Sequence, residues 1–154
     1  MGKIKYRIGS STIHGRGAFA TEKIRSGTRV VEYVGERVSE EEADRRAELS
    51  ECVWLFDLED GTFIDGDQSS DGACVNHSCD PNCTTEIANG RVYILSERTI
   101  EPGEELVYDY RFEAEMEEWP CRCGAEDCRG TINLQPQPKP VKKRKQRARG
   151  KRRH

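Results

Sequence analysis

Long hydrophobic runs are missing from this chain of 154 residues. No stretch approaches the ~18 apolar residues that a membrane-spanning helix needs, which excludes a helical membrane protein. Met1–Gly9 has no apolar stretch of the kind found in a secretory signal, which predicts an intracellular setting. Apolar residues are scarce overall, 34% of the chain, against ~45% in an average globular protein. A wholly disordered chain is nevertheless excluded, because short apolar stretches such as Val30–Val34 and Val53–Phe56 recur. There is no internal repeat at a period of ~20–50 residues, which argues against a solenoid. The spacings of a phosphate loop and of a dinucleotide fingerprint are also absent. An even set of cysteines is lacking too. Seven are present, and an odd number without an export signal argues against a secreted disulfide framework.

What remains fits a single domain, since domains cluster near ~100–150 residues. The net charge of −3 hides a division. Ten of the 25 Lys and Arg fall between Lys139 and His154, where no acid occurs; the preceding residues keep fifteen bases against 28 acids, a balance of −13. An acidic body favours cationic partners, and a basic tail favours polyanions.

The local patterns predict many short strands. Residues 4–8 alternate and read as an edge strand, and Arg29–Tyr33 is β-branched and aromatic. Ser39 before Glu40–Glu42 is a helix start, and the polar run to Leu49 predicts a short surface helix. Cys52–Leu58 and Thr62–Asp65 flank a Glu-Asp-Gly turn, and Thr84–Ala88 and Arg91–Ser96 flank Asn89-Gly90; both read as hairpins. Pro102-Gly103 marks a turn and Leu106–Tyr110 a further strand. Gln135–Pro140 is Pro-rich and predicts an extended link, with a disordered basic tail beyond it.

Four segments ask for a chemical reason. Cys121-x-Cys123-x4-Cys128 clusters three thiols, and in a reducing compartment such clusters bind metal more often than they form disulfides. A closed zinc site needs a fourth ligand from far away in sequence. Cys79 and Cys83 are the main choices, and spacing leaves Cys52 and Cys74 open. Asn76-His-Ser-Cys79-Asp-Pro-Asn-Cys83 places a His and two Cys among turn formers; an Asx- and Pro-stabilised loop with chance cysteines is the plainer explanation. Glu104–Tyr110 puts Tyr108 and Tyr110 on one face of a strand, where filling a core edge is the common use. His14-Gly-Arg-Gly17 permits close backbone approach to a ligand, though alone it reads as a tight turn.

Taken together and in order, His14-Gly-Arg-Gly17, Glu32-Tyr-Val-Gly-Glu36, Asn76–Asn82, Glu105–Tyr110 and Cys121–Gly130 resemble a SET-domain lysine methyltransferase with its post-SET zinc segment. The resemblance covers about residues 5–134 and is nearest to the trithorax-like branch and its compact bacterial relatives. It implies a mostly β fold, the β-clip: small sheets around a knot-like centre, with one short surface helix. Residues 5–112 would be the SET domain, 113–134 the post-SET segment and 135–154 a Pro-rich link and basic tail.

By the same resemblance, His14, Gly15, Arg16, Gly17, Asn76 and His77 would bind S-adenosylmethionine. Trp54, standing where a tyrosine is usual, and Arg122 would add to that pocket. Tyr110 matches the catalytic tyrosine, Tyr33 a second channel tyrosine, and Tyr108 the position whose hydroxyl limits the product to mono- or dimethyl-lysine. Cys79, Cys121, Cys123 and Cys128 would hold one structural zinc, leaving Cys83 out. The implied substrate is a histone or another basic protein. DNA contact through 139–154 is expected, with residence at chromatin in a nucleated host or at the cytoplasmic nucleoid in a bacterium. The rival readings are a zinc-stabilised nucleic-acid-binding protein, which the acidic body disfavours, and a SET-like binding module without turnover.

Overall fold

A computed structural model describes residues 2–49, 54–67 and 70–136. Cys52 and the basic tail lie outside the described residues. The elements run β1 (Tyr6–Ser10), β2 (Arg16–Ala20), β3 (Arg29–Tyr33), β4 (Glu36–Ser39), α1 (Glu40–Leu49), β5 (Leu55–Asp57), β6 (Thr62–Asp65), a 3-10 turn (Gly72–Cys74), β7 (Asn76–His77), β8 (Cys83–Ala88), β9 (Arg91–Ser96) and β10 (Glu105–Tyr108). The protein is therefore mostly β, as its sequence predicts. The larger sheet has the order β1-β2-β10-β8-β9-β3, with β7 added beside β10; β4-β6-β5 form a second, small sheet.

Turn chemistry sets both hairpins. Asn89 and Gly90 have φ of 51° and 71°, the left-handed pair that a two-residue turn between twisted strands requires. Cys83–Ala88 and Arg91–Ser96 pair from Ala88↔Arg91 back to Cys83↔Ser96. The β5–β6 turn uses Glu59 and Gly61 at positive φ, and the Leu58 amide closes it on the Thr62 carbonyl at 3.0 Å. The helix starts where its sequence says. The Ser39 hydroxyl accepts from the Glu42 amide at 3.2 Å, and three acids occupy the first turn, complementing the helix dipole. Only Ala43 of this helix is buried. Arg46 fixes the helix to the small sheet through Glu36 and Asp65, and is itself braced by Glu42 one turn earlier in the helix.

Several boundaries differ from expectation: β5 covers only Leu55–Asp57 of the described part of Cys52–Leu58, β8 begins at Cys83 rather than Thr84, and the first and last strands are shifted. The first strand begins at Tyr6, because its partners run from Ala20 to Arg16 and pair Tyr6–Ser10 in turn. The last strand stops at Tyr108. The Tyr110 amide donates to the His77 ring nitrogen Nδ1 at 3.1 Å rather than to a strand carbonyl, and Arg111 turns to a φ of 54°.

The core is small and aliphatic: Ile24, Val75, Val92, Ile94, Ile100 and Leu106 are fully buried. Strand β10 is its hub. It pairs antiparallel with β2 through Leu106↔Ala18, and parallel with β7 through Val107↔Asn76 and Tyr108↔His77. It also meets β8 at Tyr108↔Cys83. The Asn82 side chain stands in for a strand edge, accepting from the Val107 amide at 2.9 Å and donating to the Glu105 carbonyl at 2.8 Å. The 76–83 segment is thus held to β10 at both ends. That is why a polar loop can sit buried: its backbone partners are supplied by a strand and a neighbouring amide side chain.

Candidate active site

The Asn76–His77 pair and Tyr110 are brought together by this pairing. Asn76 is buried, and its amide nitrogen donates to the carbonyls of His14 and Arg16 at 3.1 and 3.0 Å and to Glu105 Oε1 at 2.9 Å. The same Glu105 oxygen accepts from the Ser11 hydroxyl at 2.8 Å. Gly17 leaves room for this carboxylate, since a Cβ there would lie 2.2 Å from Glu105 Oε1. The Asn76 amide oxygen makes no hydrogen bond among the described residues, so it is an acceptor left for a ligand.

His77 is 4% exposed. Burial, helped by the charge of Arg129, holds its pKa down to about 4 despite nearby Asp109. Its Nδ1 accepts from the Tyr110 amide, so the ring proton sits on Nε2, 3.5 Å from Cys79 Sγ.

A cavity of about 360 Å³ opens between these groups and the C-terminal segment. Its walls include His14, Trp54, Asn76, His77, Tyr110 and Arg122, together with Phe112, Trp119 and Ile132. This volume falls within the range of small-molecule sites, ~300–1,000 Å³. Tyr110 donates its hydroxyl proton to the Val75 carbonyl at 2.7 Å, so its oxygen offers lone pairs to any neighbour. Burial, with charge from Cys74 and Glu105, pushes its pKa up and keeps the phenol neutral. The Tyr108 ring lies 4.8 Å from that of Tyr110, and the Phe112 ring lies 5.8 Å from it. The Tyr108 hydroxyl makes no hydrogen bond among the described residues. Tyr33 donates to the Trp54 carbonyl. It is clamped by two glycines, since a Cβ at Gly66 or Gly72 would come within 2.8 Å of its hydroxyl or its Cα.

The second feature is a thiol cluster. The Sγ atoms of Cys79, Cys121, Cys123 and Cys128 all lie within 4.8 Å of one another, with Cys79 3.7 Å from Cys121 and 4.0 Å from Cys128. A tetrahedral zinc with Zn–S near ~2.3 Å places its sulfurs about 3.8 Å apart. Backbone amides of Arg129, Cys123 and Gly130 point at the sulfurs of Cys79, Cys121 and Cys128, each at 3.4 Å, as suits thiolate acceptors. Burial raises Cys79 and Cys121. Cys123 is also penalised by burial, but backbone amides of Cys79 and Ala125 and its thiol neighbours hold it down to about 6. Four thiols this close cannot all ionise without a cation between them. The donor set, spacing and amide donors all fit a thiolate-bound metal.

Cys83 lies elsewhere, 1% exposed in the core, where burial pushes its thiol up to about 12. Cys74 faces Arg16, whose guanidinium lies 3.2 Å from its sulfur. Neither joins the cluster of four. Of the residues the sequence singles out, His14, Trp54, Asn76, His77, Tyr110 and Arg122 share the cavity wall. Gly15, Arg16 and Gly17 sit behind it through the Arg16 carbonyl on Asn76, and Tyr33 and Tyr108 through Trp54 and Tyr110.

Sequence reasoning passed over Glu105, the anchor of Asn76, and the Asp109–Arg129 pair. Arg129 grips Asp109 with two nitrogens at 2.8 and 3.1 Å and the Ile132 carbonyl at 2.9 Å. It thereby ties the thiol segment to the residue before Tyr110. An arginine beside a clustered cysteine and an acid between two tyrosines were the available signals.

Residues 15–111 match the family model of the SET domain. Histone-lysine N-methyltransferase SETD1B of Xenopus laevis is 38% identical over 141 residues, covering 85% of this chain and 7% of that protein. The H3 lysine-4-specific histone-lysine N-methyltransferase of Schizosaccharomyces pombe is 37% identical over 141 residues, 85% of this chain and 15% of its own length. Histone-lysine N-methyltransferase trithorax of Drosophila virilis is 36% identical over 132 residues, 80% and 3%. This chain spans only a small part of the length of these relatives. With its cavity, its Asn-His pair and tyrosines in place and most of its β core inside the matched region, the chain belongs to the SET-domain family.

Proposed function

We propose that this chain is an S-adenosylmethionine-dependent protein-lysine N-methyltransferase that mono- or dimethylates a lysine in a histone or another basic protein. The observation that carries the reading is one cavity walled both by Asn76 and His77 and by Tyr110, whose ring rests on Tyr108. In this reading residues 5–112 are the catalytic domain, 113–134 a zinc-bound segment that closes the cavity, and 135–154 a link and tail.

S-adenosylmethionine, when bound, supplies the methyl group as a sulfonium. The Asn76 amide oxygen accepts from a ligand ammonium, held in place because its amide nitrogen is fully engaged. His14, Trp54 and Arg122 enclose the rest of that ligand. The incoming lysine must lose a proton. At pH 7 an amine of pKa ~10.4 is neutral about once in 2,500, a cost of roughly 4.6 kcal/mol, and burial beside positive charge lowers it. The neutral phenol of Tyr110 offers its oxygen as acceptor at the reacting end, its own proton being committed to Val75. Aligning amine and methyl at ~3–3.5 Å is the main remaining work. The unengaged Tyr108 hydroxyl can keep an ordered water in the space that a third methyl would need, which supports limited product multiplicity. Four cysteines bind one zinc with a structural role, because no step calls for a metal-bound water.

The acidic body favours basic substrates, and the 139–154 tail adds DNA contact and residence at chromatin or nucleoid. If about six of its charges meet phosphate, log affinity falls with log salt at a slope near −5. The reading is tested by calorimetric titration with S-adenosylmethionine, then label transfer to a histone mixture read by mass spectrometry. Binding with transfer to lysine is expected; no binding at all removes the proposal.

A further inference from the structure

We propose that His77 is a positioning residue whose imidazole ties Tyr110 to the thiol cluster, so that the state of the metal site is felt at the reacting centre; this rests on the methyltransferase reading above. A regular ladder breaks at this point. Strand β7 runs parallel to β10 in the register Val107↔Asn76 and Tyr108↔His77, and the Ser78 amide continues it by donating to the Tyr108 carbonyl at 3.1 Å. The next donor in such a ladder is the Tyr110 amide, and its usual partner is a backbone carbonyl. It donates instead to His77 Nδ1 at 3.1 Å. The backbone of Tyr110 is therefore placed by a side chain, and a side chain has a far end that something else can hold.

That far end is at the thiols. Cys79 follows His77 by two residues, the spacing at which side chains of an extended segment share a side, and His77 Nε2 lies 3.5 Å from Cys79 Sγ. With Nδ1 accepting, Nε2 carries the ring proton and donates it to the sulfur. The ring is buried, so water has little access to either bond. It also meets the Tyr110 ring edge-on, with centroids 5.4 Å apart and planes at 69°.

A second tie meets the same sulfur. Cys79 Sγ accepts from the Arg129 amide at 3.4 Å, and the Arg129 guanidinium holds Asp109 at 2.8 and 3.1 Å. The two groups that donate to Cys79 are thus the two that hold residues 109 and 110. Cys121 and Cys128 accept from the amides of Cys123 and Gly130, bonds that stay inside the C-terminal segment. Cys79 alone of the four comes from the body and passes its position on to Tyr110. A metal gripping the four thiols fixes where this sulfur stands, and bonds donated to ionised sulfur are charge-assisted. Such a link matters at a reacting group, because a misplacement of ~1 Å can lower a rate by ~10²-fold.

The test loads the isotopically labelled full chain with NMR-active cadmium in place of zinc and records proton–cadmium couplings carried through N–H···S bonds. Couplings are expected from the His77 ring proton on Nε2 and from the Arg129 amide. An Arg129 coupling without one from His77 overturns the proposal, as does the lack of any sulfur-bound cadmium signal. Two variants then separate the two ring nitrogens. His77→Asn offers an acceptor where Nδ1 stood and gives up Cys79; His77→Gln reaches toward Cys79 and leaves the Tyr110 amide without its acceptor. Both take the ring out of the cavity wall, so the difference between them isolates the bond to Tyr110. The Gln variant is expected to have a kcat at least about 10-fold below that of the Asn variant. The Tyr110 amide resonance should shift when cadmium replaces zinc in the parent chain and stop shifting in His77→Asn. Equal kcat in the two variants, or a Tyr110 resonance indifferent to the metal in the parent, overturns the proposal. The couplings do not depend on turnover. A chain that methylates histone lysine without the His77 coupling loses this link and keeps the enzyme reading. A chain that shows the coupling but binds no S-adenosylmethionine loses the enzyme reading, and the proposed role at a reacting centre falls with it.

Discussion

The β body and the C-terminal thiol segment are held together by opposite means. In the body, aliphatic side chains such as Ile24, Ile94, Ile100 and Leu106 are fully buried, each contributing on the order of 1.5–3 kcal/mol. Among the described residues 111–136 the buried ones are Thr131 and Asn133, both polar. That segment is organised by the Asn133 bonds, by Arg129 on Asp109, and by four thiols converging on one point. Yet it supplies Phe112, Trp119, Arg122 and Ile132 to the cavity. The body rests chiefly on apolar burial, whereas half of the cavity wall comes from a segment held by polar bonds and a cluster of four thiols.

The largest break in this contrast comes from removing the metal. Chelation, or Cys121→Ser, should release residues 113–134 to protease while the body keeps its β signal, because structural zinc contributes ~10–16 kcal/mol where it has been weighed in small domains. Affinity for S-adenosylmethionine should fall with it. A segment that stays protected without metal would place its stability in the polar bonds instead. Leu106→Ala attacks the other side. A cavity in the hub strand should cost about 2–5 kcal/mol of unfolding free energy and take the metal site down in the same transition. Separate transitions for body and segment would contradict a shared foundation on β10.

Smaller still is Arg129→Ala. It leaves the thiols but frees Asp109, and should cost roughly 1–3 kcal/mol in segment stability, seen as faster amide exchange at 129–134. Loss of donor affinity without loss of zinc would mark the pair as the link between the two regions. Cys83→Ser should do least to the site. The metal count stays at one per chain while the body loses on the order of 1–2 kcal/mol for a hydroxyl placed in the core. Zinc lost with Cys83 but retained without Cys79 would reverse the ligand assignment.

The same contrast explains what could be read in advance. Period-two alternation and the Asn89-Gly90 turn are local signals, and they located the hairpins and the Arg29–Tyr33 strand. The spacing of Cys121, Cys123 and Cys128 marked a cluster but left its fourth partner open between Cys79 and others; the family resemblance named Cys79, and the pairing of β10 with β7 is what carries it toward them. Glu105 and Arg129 escaped notice because their work is done across 29 and 20 residues of sequence, on Asn76 and Asp109. No local pattern encodes such a bond. The early end of the last strand was illegible for the same reason, since it depends on His77 capturing the Tyr110 amide.

The claim that this cavity aligns a methyl donor with a lysine amine rests most heavily on Tyr110, and Tyr110→Phe tests it most directly. The variant and the parent chain would each be titrated with S-adenosylmethionine and then followed through transfer to a histone mixture. The account predicts matching donor affinity and a transfer rate lower by about 10²-fold or more, as loss of a group acting at the reacting centre requires. Near-normal transfer by the variant would contradict it.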